Sequence, residues 1–146
     1  MRTLKERYLS TFTGKKFYPF NPHPDQVDIR DIAHGLSLLC RFAGQCPFFY
    51  NVASHSILVA SIVQDPRVKL EALLHDASEA YLADIPRPLK VGLTEYSTIE
   101  MSVEAVIAEK FNLSVPLPKS IKDADNVLVR HEVLGFFGSE RYFEDF

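Results

Sequence analysis

Residues 73–79, Leu-Leu-His-Asp-Ala-Ser-Glu, place an imidazole and a carboxylate side by side within an otherwise apolar helical pattern. Burying an ionisable side chain is costly unless the group is paired or binds a metal ion. A metal site is therefore the simplest explanation for His75 and Asp76. On spacing alone, the alternative is a second polar face on an ordinary surface helix.

Helical spacing of about 100° per residue divides this segment into three faces. One face is an apolar stripe made of Leu70, Leu73, Leu74, Ala77 and Tyr81. A second face, expected to be solvated, carries Arg67, Glu71 and Ser78. The third face holds His75, Asp76 and Glu79. Small residues flank this third face, which suits a binding site better than contact with bulk water.

Two distant positions could complete such a site. His55 lies near the start of a predicted helix among apolar residues, where a hydrogen-bonded core histidine is the alternative. Asp125 shares the apolar face of the last predicted helix, whereas Asp123 points to solvent. An inward-facing aspartate needs a partner, and a metal ion is a good one. Two His and two Asp form a mixed nitrogen and oxygen set that suits Mn²⁺, Co²⁺, Fe²⁺, Zn²⁺ or Mg²⁺.

The elements that must position these residues are predicted to be helices. Apolar periodicity and capping residues indicate helices at about residues 30–42, 54–63, 66–82, 97–111 and 119–134. Proline and glycine among aromatic residues make residues 1–28 an irregular or hairpin-like arm. Residues 135–146 form an aromatic and charged tail, predicted to dock or to mediate oligomerisation. The prediction is one all-α domain over residues 1–146, with a helical core at 29–134.

Composition excludes several classes of protein. The chain has 146 residues, of which 47% are apolar, and a mean hydropathy of −0.03, as expected of a soluble globular domain. It has no apolar run of roughly 18 residues for a membrane span, and its start lacks the apolar stretch of a secretory signal. A net charge of −3 without a Lys/Arg block argues against a nucleic-acid duplex as the main partner. Cys40 and Cys46 have neither zinc-site nor redox spacing and are predicted to be reduced and partly buried.

The order His55, His75-Asp76, Asp125 resembles the H…HD…D signature of the HD-domain superfamily of metal-dependent phosphohydrolases. Residues 51–56, 74–79 and 84–90 are similar to motifs of its bacterial 5′-deoxynucleotidase branch. The resemblance covers roughly residues 30–130. The arm, with Thr13-Gly14 and Phe17-x-Pro19, looks like that of short phage and bacterial HD proteins, some of which are dATP triphosphohydrolases.

The resemblance implies that one divalent metal ion is held by His55, His75, Asp76 and Asp125. It also implies that Glu79 assists the attacking water and that Asp84 lies near the leaving group or sugar. Arg41 would bind phosphate through its planar set of donors, with further contributions from Lys90 and His34. The last five of these residues each have an ordinary structural alternative. Glu79 would be a surface carboxylate, Asp84 a turn aspartate and Arg41 part of a surface ion pair. Lys90 would be a solvated lysine, and His34 a core histidine.

The activity implied by the resemblance is hydrolysis of the 5′-phosphate ester or anhydride of a deoxynucleotide. The chain would then be a dNMP nucleotidase or a dNTP or dATP triphosphohydrolase. The alternatives are a signalling-nucleotide hydrolase, a non-catalytic HD module that binds metal or nucleotide, and a purely structural helical domain. A homo-oligomer in the cytoplasm of a bacterial or phage-infected cell is expected from the same resemblance, with no membrane partner.

Overall fold

The computed structural model describes residues 1–138, which form seven α-helices and a two-stranded antiparallel sheet. The strands are β1 (Leu9–Ser10) and β2 (Lys16–Phe17). The helices are α1 (Ile29–Leu38), α2 (Val52–Ile62), α3 (Lys69–Leu73), α4 (Glu79–Leu82), α5 (Arg87–Lys90), α6 (Thr94–Phe111) and α7 (Lys119–Phe137). The prediction of a mainly α-helical fold is confirmed. Within residues 1–138, none of the helices combines the length and apolarity needed to cross a bilayer.

The N-terminal arm is a short hairpin attached to the first helix. Gly14 in the turn between the strands has φ of +84°, a conformation that glycine adopts without strain. The backbone N–H and the hydroxyl of Thr13 donate to the buried carboxylate of Asp31 in α1, at 2.7 and 2.9 Å. The ring of Phe17 is fully buried and stacks on Tyr81 with 3.9 Å between centroids. The arm thus closes one side of the core, as a hairpin rather than as irregular chain.

Helix α1 ends earlier than predicted, and this changes the position of Arg41. The backbone is already extended at Leu39, so Arg41 lies in a turn and does not share a helix with His34. Residues 42–44 then have positive φ values of 55°, 52° and 75°. Because two of these three residues carry side chains, this turn stores backbone strain. The strained turn follows directly on Arg41 and fixes the point at which its side chain leaves the backbone.

The helix predicted over residues 66–82 is interrupted at the central motif. Helix α3 ends at Leu73, residues 74–78 form turns, and α4 begins at Glu79. The Nδ1 atom of His75 lies 2.7 Å from the carbonyl oxygen of Ala72. The imidazole therefore satisfies a carbonyl group at the end of α3, a group that has no partner within the helix.

Because of this interruption, part of the predicted facing is wrong. Leu70 and Leu73, predicted to lie in the core, are 47% and 38% exposed. Glu71 and Ser78, predicted to face solvent, are buried. The remaining members of the predicted stripe are buried, namely Leu74, Ala77 and Tyr81. A rotation of 100° per residue holds only along an unbroken helix, so it fails for a segment that contains a turn.

Two apolar clusters hold the helices together. The first includes Phe17, Val27, Ile32, Leu36, Val52, Leu74, Ala77, Tyr81, Val103 and Ile107. The second includes Val59, Ala60, Val63, Ala72, Ile121, Ala124 and Leu128. Helix α2 contributes to both clusters and packs on α1, α3 and α7. It thereby carries His55 between the segments that bear His75 and Asp125.

Helix α7 extends beyond its predicted end and has the predicted inward face. It continues to Phe137, so the part of the predicted tail at 135–137 is helical, while residues 139–146 lie outside the described residues. Asp123 is exposed and pairs with Lys119 at 2.8 Å. The side chain of Asp125 is only 17% exposed. The predicted distinction between the two aspartates of this helix is confirmed.

Candidate metal site

Two imidazole rings from separate elements lie near each other, with 5.4 Å between their centroids. His55 in α2 is fully buried, and the side chain of His75 is 8% exposed. Nδ1 of His75 donates to Ala72, because a carbonyl oxygen can only accept. Nδ1 of His55 lies 2.7 Å from a carboxylate oxygen of Glu132. Both Nδ1 atoms are therefore engaged, which leaves the two Nε2 atoms as the candidate metal ligands.

Two aspartate carboxylates converge on these Nε2 atoms. Oδ1 of Asp125 lies 3.1 Å from Nε2 of His55 and 3.9 Å from Nε2 of His75. Oδ2 of Asp76 lies 3.8 and 3.2 Å from the same two nitrogens. One ligand atom from each of His55, His75 and Asp76 lies within 4.8 Å of the others. These three residues form a group that could hold a metal ion.

The charges of this cluster favour a cation at its centre. Burial opposes the charged form of His55, but hydrogen bonds with Asp125 and Glu132 outweigh burial and raise its pKa. Burial likewise opposes the charged form of Asp125, but its hydrogen bond with His55 and the charge of His75 lower its pKa. Both shifts have the same origin, since the carboxylates and the imidazole rings attract each other in their charged forms. A divalent cation can supply that charge in place of protons.

A pocket of about 450 Å³ opens beside the cluster. Its wall includes Arg41, Phe42, Asp76, Glu79, Asp84, Ile85, Pro86, Arg87, Lys90, Val91, Ser97, Lys122, Asp125 and Val129. Burial, and then the nearby charges of Asp76 and Asp84, raise the pKa of Glu79 well above its usual value. Burial also raises the pKa of Asp84, although Arg41 opposes the shift. The predicted catalytic residues Glu79 and Asp84 therefore share one wall, and both hold protons more tightly than ordinary carboxylates.

Basic side chains in the same wall are held by carboxylates. The nitrogen to oxygen distances are 3.0 Å for Arg41 to Glu132, 2.5 Å for Lys90 to Glu100 and 3.1 Å for Lys122 to Asp125. Arg41 is buried, and its Nη1 also lies 3.9 Å from Oδ2 of Asp76. Together with Arg87, these side chains place positive charge around a cavity that adjoins the candidate metal ligands. The same wall also carries Asp76, Glu79, Asp84 and Asp125, so it suits an anionic ligand once a cation offsets these carboxylates.

The structure does not bring His34 to this pocket. Its ring stacks on Phe12 of the arm, with 3.9 Å between centroids and 10° between planes. The described residues that line the pocket do not include His34. The substrate-binding role expected for His34 is therefore not supported, and its half-buried ring on the exposed Phe12 is not that of a core histidine either.

Comparison with known proteins identifies relatives of this chain, but the names of these relatives state no activity. No family model matches the chain. It is 42% identical over 125 residues to YfdR of Escherichia coli (strain K12), covering 86% of this chain and 70% of YfdR. It is 33% identical over 153 residues to RCAP_rcc00048 of Rhodobacter capsulatus, covering 94% of this chain and 78% of that protein. The chain belongs to their family. Both relatives are described as uncharacterized, so this YfdR family comes without a stated reaction.

The sequence reasoning missed three polar residues at the site of this YfdR-family chain. Glu132 and Tyr50 lie behind His55, and Lys122 lies in the pocket wall. A signal for Glu132 was present, because it follows Asp125 by seven residues and therefore lies on the same face of α7. Tyr50 and Lys122 carry no comparable signal, since their positions depend on how the loop and helices pack.

Proposed function

We propose that the protein is a metal-dependent phosphohydrolase of the HD-domain type, which hydrolyses the 5′-phosphate ester or anhydride of a deoxynucleotide. One observation carries the proposal. His55, His75, Asp76 and Asp125, which are far apart in the chain except for the central pair, meet with nitrogen to oxygen distances of 3.1 to 3.9 Å. Their order along the chain is that of the H…HD…D signature.

The donor set fits a divalent cation. Imidazole nitrogen and carboxylate oxygen together suit Mn²⁺, Co²⁺, Fe²⁺, Zn²⁺ or Mg²⁺. Nε2 of His75 is buried and makes no hydrogen bond within residues 1–138, as expected of an atom that coordinates a metal ion. His55, His75 and Asp76 would hold the ion, with Asp125 as a fourth ligand. A bound ion would lower the pKa of a coordinated water and polarise a phosphoryl oxygen.

Glu79 would act as the general base. Its Oε2 atom is buried, has no hydrogen-bond partner among the described residues, and belongs to a side chain in the pocket wall. Its raised pKa makes the carboxylate more basic than an exposed glutamate, which favours acceptance of a proton. Glu79 would accept a proton from the water that attacks phosphorus, as the bond from phosphorus to the leaving oxygen breaks. Asp84 in the same wall would contact the leaving group or the sugar.

Basic residues would neutralise the phosphate charge. Arg41 offers several N–H donors in one plane, and its Nε makes no hydrogen bond in the part of the chain described. Lys90 and Lys122 are half-buried and exposed, respectively, at other points of the same wall. A substrate with one phosphate would contact Arg41 first, and a longer phosphate chain could extend toward the lysines.

Product analysis tests this function. The metal-free protein would be reloaded separately with Mn²⁺, Co²⁺, Zn²⁺ or Mg²⁺ and offered deoxynucleoside mono- and triphosphates, ribonucleotides and signalling nucleotides. Release of orthophosphate from monophosphates would identify a nucleotidase, and intact tripolyphosphate from dATP would identify a triphosphohydrolase. Activity confined to signalling nucleotides would contradict the deoxynucleotide assignment. Metal binding with no turnover on any substrate would contradict the enzyme assignment and favour a regulatory module.

Helix α7 supplies a matched pair of variants for this assay. Asp125→Asn removes the charge of a proposed metal ligand, whereas Asp123→Asn removes the charge of an exposed aspartate two residues away. We expect Asp125→Asn to lose metal affinity and turnover and Asp123→Asn to retain both. Equal behaviour of the two variants would contradict the proposed ligand set. The oligomeric state and the cellular compartment stay predictions.

A further inference from the structure

Glu132 is a buried carboxylate next to the proposed metal site. It lies in α7, two helical turns after Asp125, and is 5% exposed. A buried carboxylate is costly unless several donors compensate its charge. The donors around Glu132 therefore indicate why a glutamate is tolerated at this position.

Three side chains from other segments donate to its two oxygens. Oε1 accepts from the hydroxyl of Tyr50 at 2.6 Å and from Nδ1 of His55 at 2.7 Å. Oε2 accepts from Nη2 of Arg41 at 3.0 Å. Burial opposes the charged form of Glu132, but the hydrogen bond with His55 and the charges of His55 and Arg41 lower its pKa. One carboxylate thus touches both a proposed metal ligand and the proposed phosphate-binding arginine.

We propose that Glu132 is a positioning residue that holds His55 and Arg41 together, and so links the metal site to the phosphate site. This inference rests on the proposed function. Glu132 is not among the described residues that line the pocket, and it reaches the proposed metal and phosphate sites through His55 and Arg41.

The contact with His55 fixes which imidazole nitrogen faces the metal. A proton held on Nδ1 by the carboxylate leaves the lone pair on Nε2, which lies toward Asp125 and Asp76. Partners of this kind orient metal-binding histidines, and their loss typically weakens metal binding about 10- to 100-fold. Without Glu132, either nitrogen of His55 could carry the proton.

The contact with Arg41 fixes the direction of the guanidinium group. Nη2 is held by Glu132 on one side, while Nη1 lies 3.9 Å from Asp76 on the side of the pocket. The backbone of Arg41 is followed by the strained turn at 42–44. The arginine is thus held at both ends, by the turn and by the carboxylate, and its donors are fixed before a phosphate arrives.

The substitution Glu132→Gln prevents this side chain from accepting hydrogen bonds from His55 and Arg41 at the same time. A carboxylate accepts with both oxygens, whereas an amide of the same shape accepts with one and donates with the other. Glutamine can therefore accept from His55 or from Arg41 but not from both. An NH₂ group would then face a donor, either the Nδ1–H of His55 or the guanidinium of Arg41.

The test uses the metal-free protein, the metal-loaded protein and three variants. Long-range ¹H–¹⁵N spectra report which nitrogen of His55 carries the proton, at a pH where titration of the same signal shows a neutral ring. Calorimetry with Zn²⁺ or Mn²⁺ gives the metal affinity, and steady-state kinetics at saturating metal give kcat and KM separately. Glu71→Gln is the control, because Glu71 is a buried carboxylate in α3 that accepts from the backbone N–H of Ser114 at 2.6 Å.

For Glu132→Gln we expect metal affinity to fall about 10- to 100-fold, with His55 losing its single Nδ1–H form. At saturating metal, KM should rise more than kcat falls, because Arg41 is misdirected. Tyr50→Phe should weaken metal binding less than Glu132→Gln does, because Glu132 keeps its contacts with His55 and Arg41 when this charge-assisted hydrogen bond is lost. Glu71→Gln should leave the spectrum of His55, the metal affinity and KM unchanged.

A Glu132→Gln protein with the wild-type His55 spectrum and metal affinity would overturn the proposal. If this variant does not fold, Glu132→Asp is used, since withdrawing the carboxylate by one methylene should give the same changes, and wild-type behaviour would overturn the proposal equally. The spectrum and the metal affinity need no substrate. If the wild-type protein shows no turnover, only the proposed function is contradicted. If the wild-type protein is active and the Glu132 variant keeps the wild-type spectrum, metal affinity and kinetics, only the role of Glu132 is contradicted.

Discussion

The interior of this protein contains two regions that are built from opposite kinds of side chain. The apolar region is centred on Phe17, which is fully buried against the ring of Tyr81. The charged region is centred on His55, which is equally buried but lies among Arg41, Asp125 and Glu132. Burying a large apolar side chain stabilises a fold by roughly 1.5–3 kcal/mol. Buried charges recover their lost hydration only when their geometry is very favourable.

This difference indicates that the two regions have separate tasks. The apolar region attaches the arm to the helices and sets the fold. The charged region is expected to add little net stability, and we propose that it serves the chemistry of the metal site. Helix α2 belongs to both, since Val52 packs in the first apolar cluster and His55 follows one turn later. Substitutions in the apolar region should therefore change the free energy of unfolding and leave metal affinity unchanged. Substitutions in the charged region should mainly change metal affinity or activity.

The largest effect is expected for Glu79→Gln in the charged region. Loss of a general base typically lowers the rate about 10²- to 10⁴-fold, and we expect kcat to fall within that range. The free energy of unfolding should not decrease, because burial and the carboxylates of Asp76 and Asp84 disfavour the charge that is removed. Steady-state kinetics and urea denaturation measure the two quantities. Glu95→Gln, at an exposed position in α6, is the control, and full activity in Glu79→Gln would contradict the assigned role.

The next largest effect is expected for Phe17→Ala in the apolar region. Removal of a buried phenylalanine typically destabilises a protein by about 3–5 kcal/mol, and urea denaturation should show a loss of this size. Calorimetry on the folded variant should give the wild-type metal affinity. Phe12→Ala is the matched control, because Phe12 is 66% exposed and should change stability by less than about 1 kcal/mol. A strong loss of metal affinity in Phe17→Ala would break the proposed separation of the two regions.

For His75→Ala we expect a smaller effect, which is the loss of the stabilisation that bound metal provides. At a free metal concentration 100 times the dissociation constant, binding should stabilise the wild type by about 2.7 kcal/mol. The variant should lose this metal-dependent gain, in addition to a metal-independent loss of about 1–3 kcal/mol because the carbonyl group of Ala72 loses its partner. Thermal or urea unfolding with and without Mn²⁺ measures the difference. His23→Ala, whose parent side chain is 64% exposed, should retain the full gain, and a retained gain in His75→Ala would count against the site.

The smallest effect is expected for Tyr81→Phe. The phenol oxygen of Tyr81 accepts the backbone N–H of Asp28 at 3.2 Å, and loss of one such bond costs about 1 kcal/mol near neutral pH. Burial raises the pKa of Tyr81 to about 12, from an ordinary value of 10. The unfolded chain therefore loses this proton first, so the contribution of Tyr81 to stability falls as pH rises from about 10 to about 12.

Denaturation of both proteins across this pH range measures the effect. The difference in unfolding free energy between the wild type and Tyr81→Phe should shift in favour of the variant as pH rises. A constant difference would show that the Tyr81 phenol does not titrate differently in the folded state.

Local features of the sequence were read correctly wherever the chain is regular. The helical fold, the inward face of Asp125 and the exposed position of Asp123 follow from periodicity within single unbroken helices. Cys40 and Cys46 are free and half-buried, as predicted, with 3.5 Å between their Sγ atoms. In each case the observed feature depends on the residue types themselves or on interactions over a few helical turns.

The sequence failed where the chain departs from regular helix. Nothing in Leu-Leu-His-Asp-Ala-Ser-Glu is a helix breaker such as proline or glycine, yet α3 ends after Leu73. The facing of Leu70 and Glu71 was wrong for that reason. The turn that holds Arg41 contains alanine and phenylalanine at positive φ, which local preferences disfavour. Such conformations persist because surrounding contacts stabilise them.

The sequence by itself therefore determined which side chains are candidate metal ligands, their order, and the helices that carry two of them, His55 and Asp125. Only the tertiary structure decided that His55, His75, Asp76 and Asp125 meet, that His34 packs on the arm instead, and that Glu132 joins His55 to Arg41. The physical reason is the range of the interactions. Periodicity and capping act over a few residues, whereas these contacts join residues up to 91 positions apart and depend on how whole helices pack.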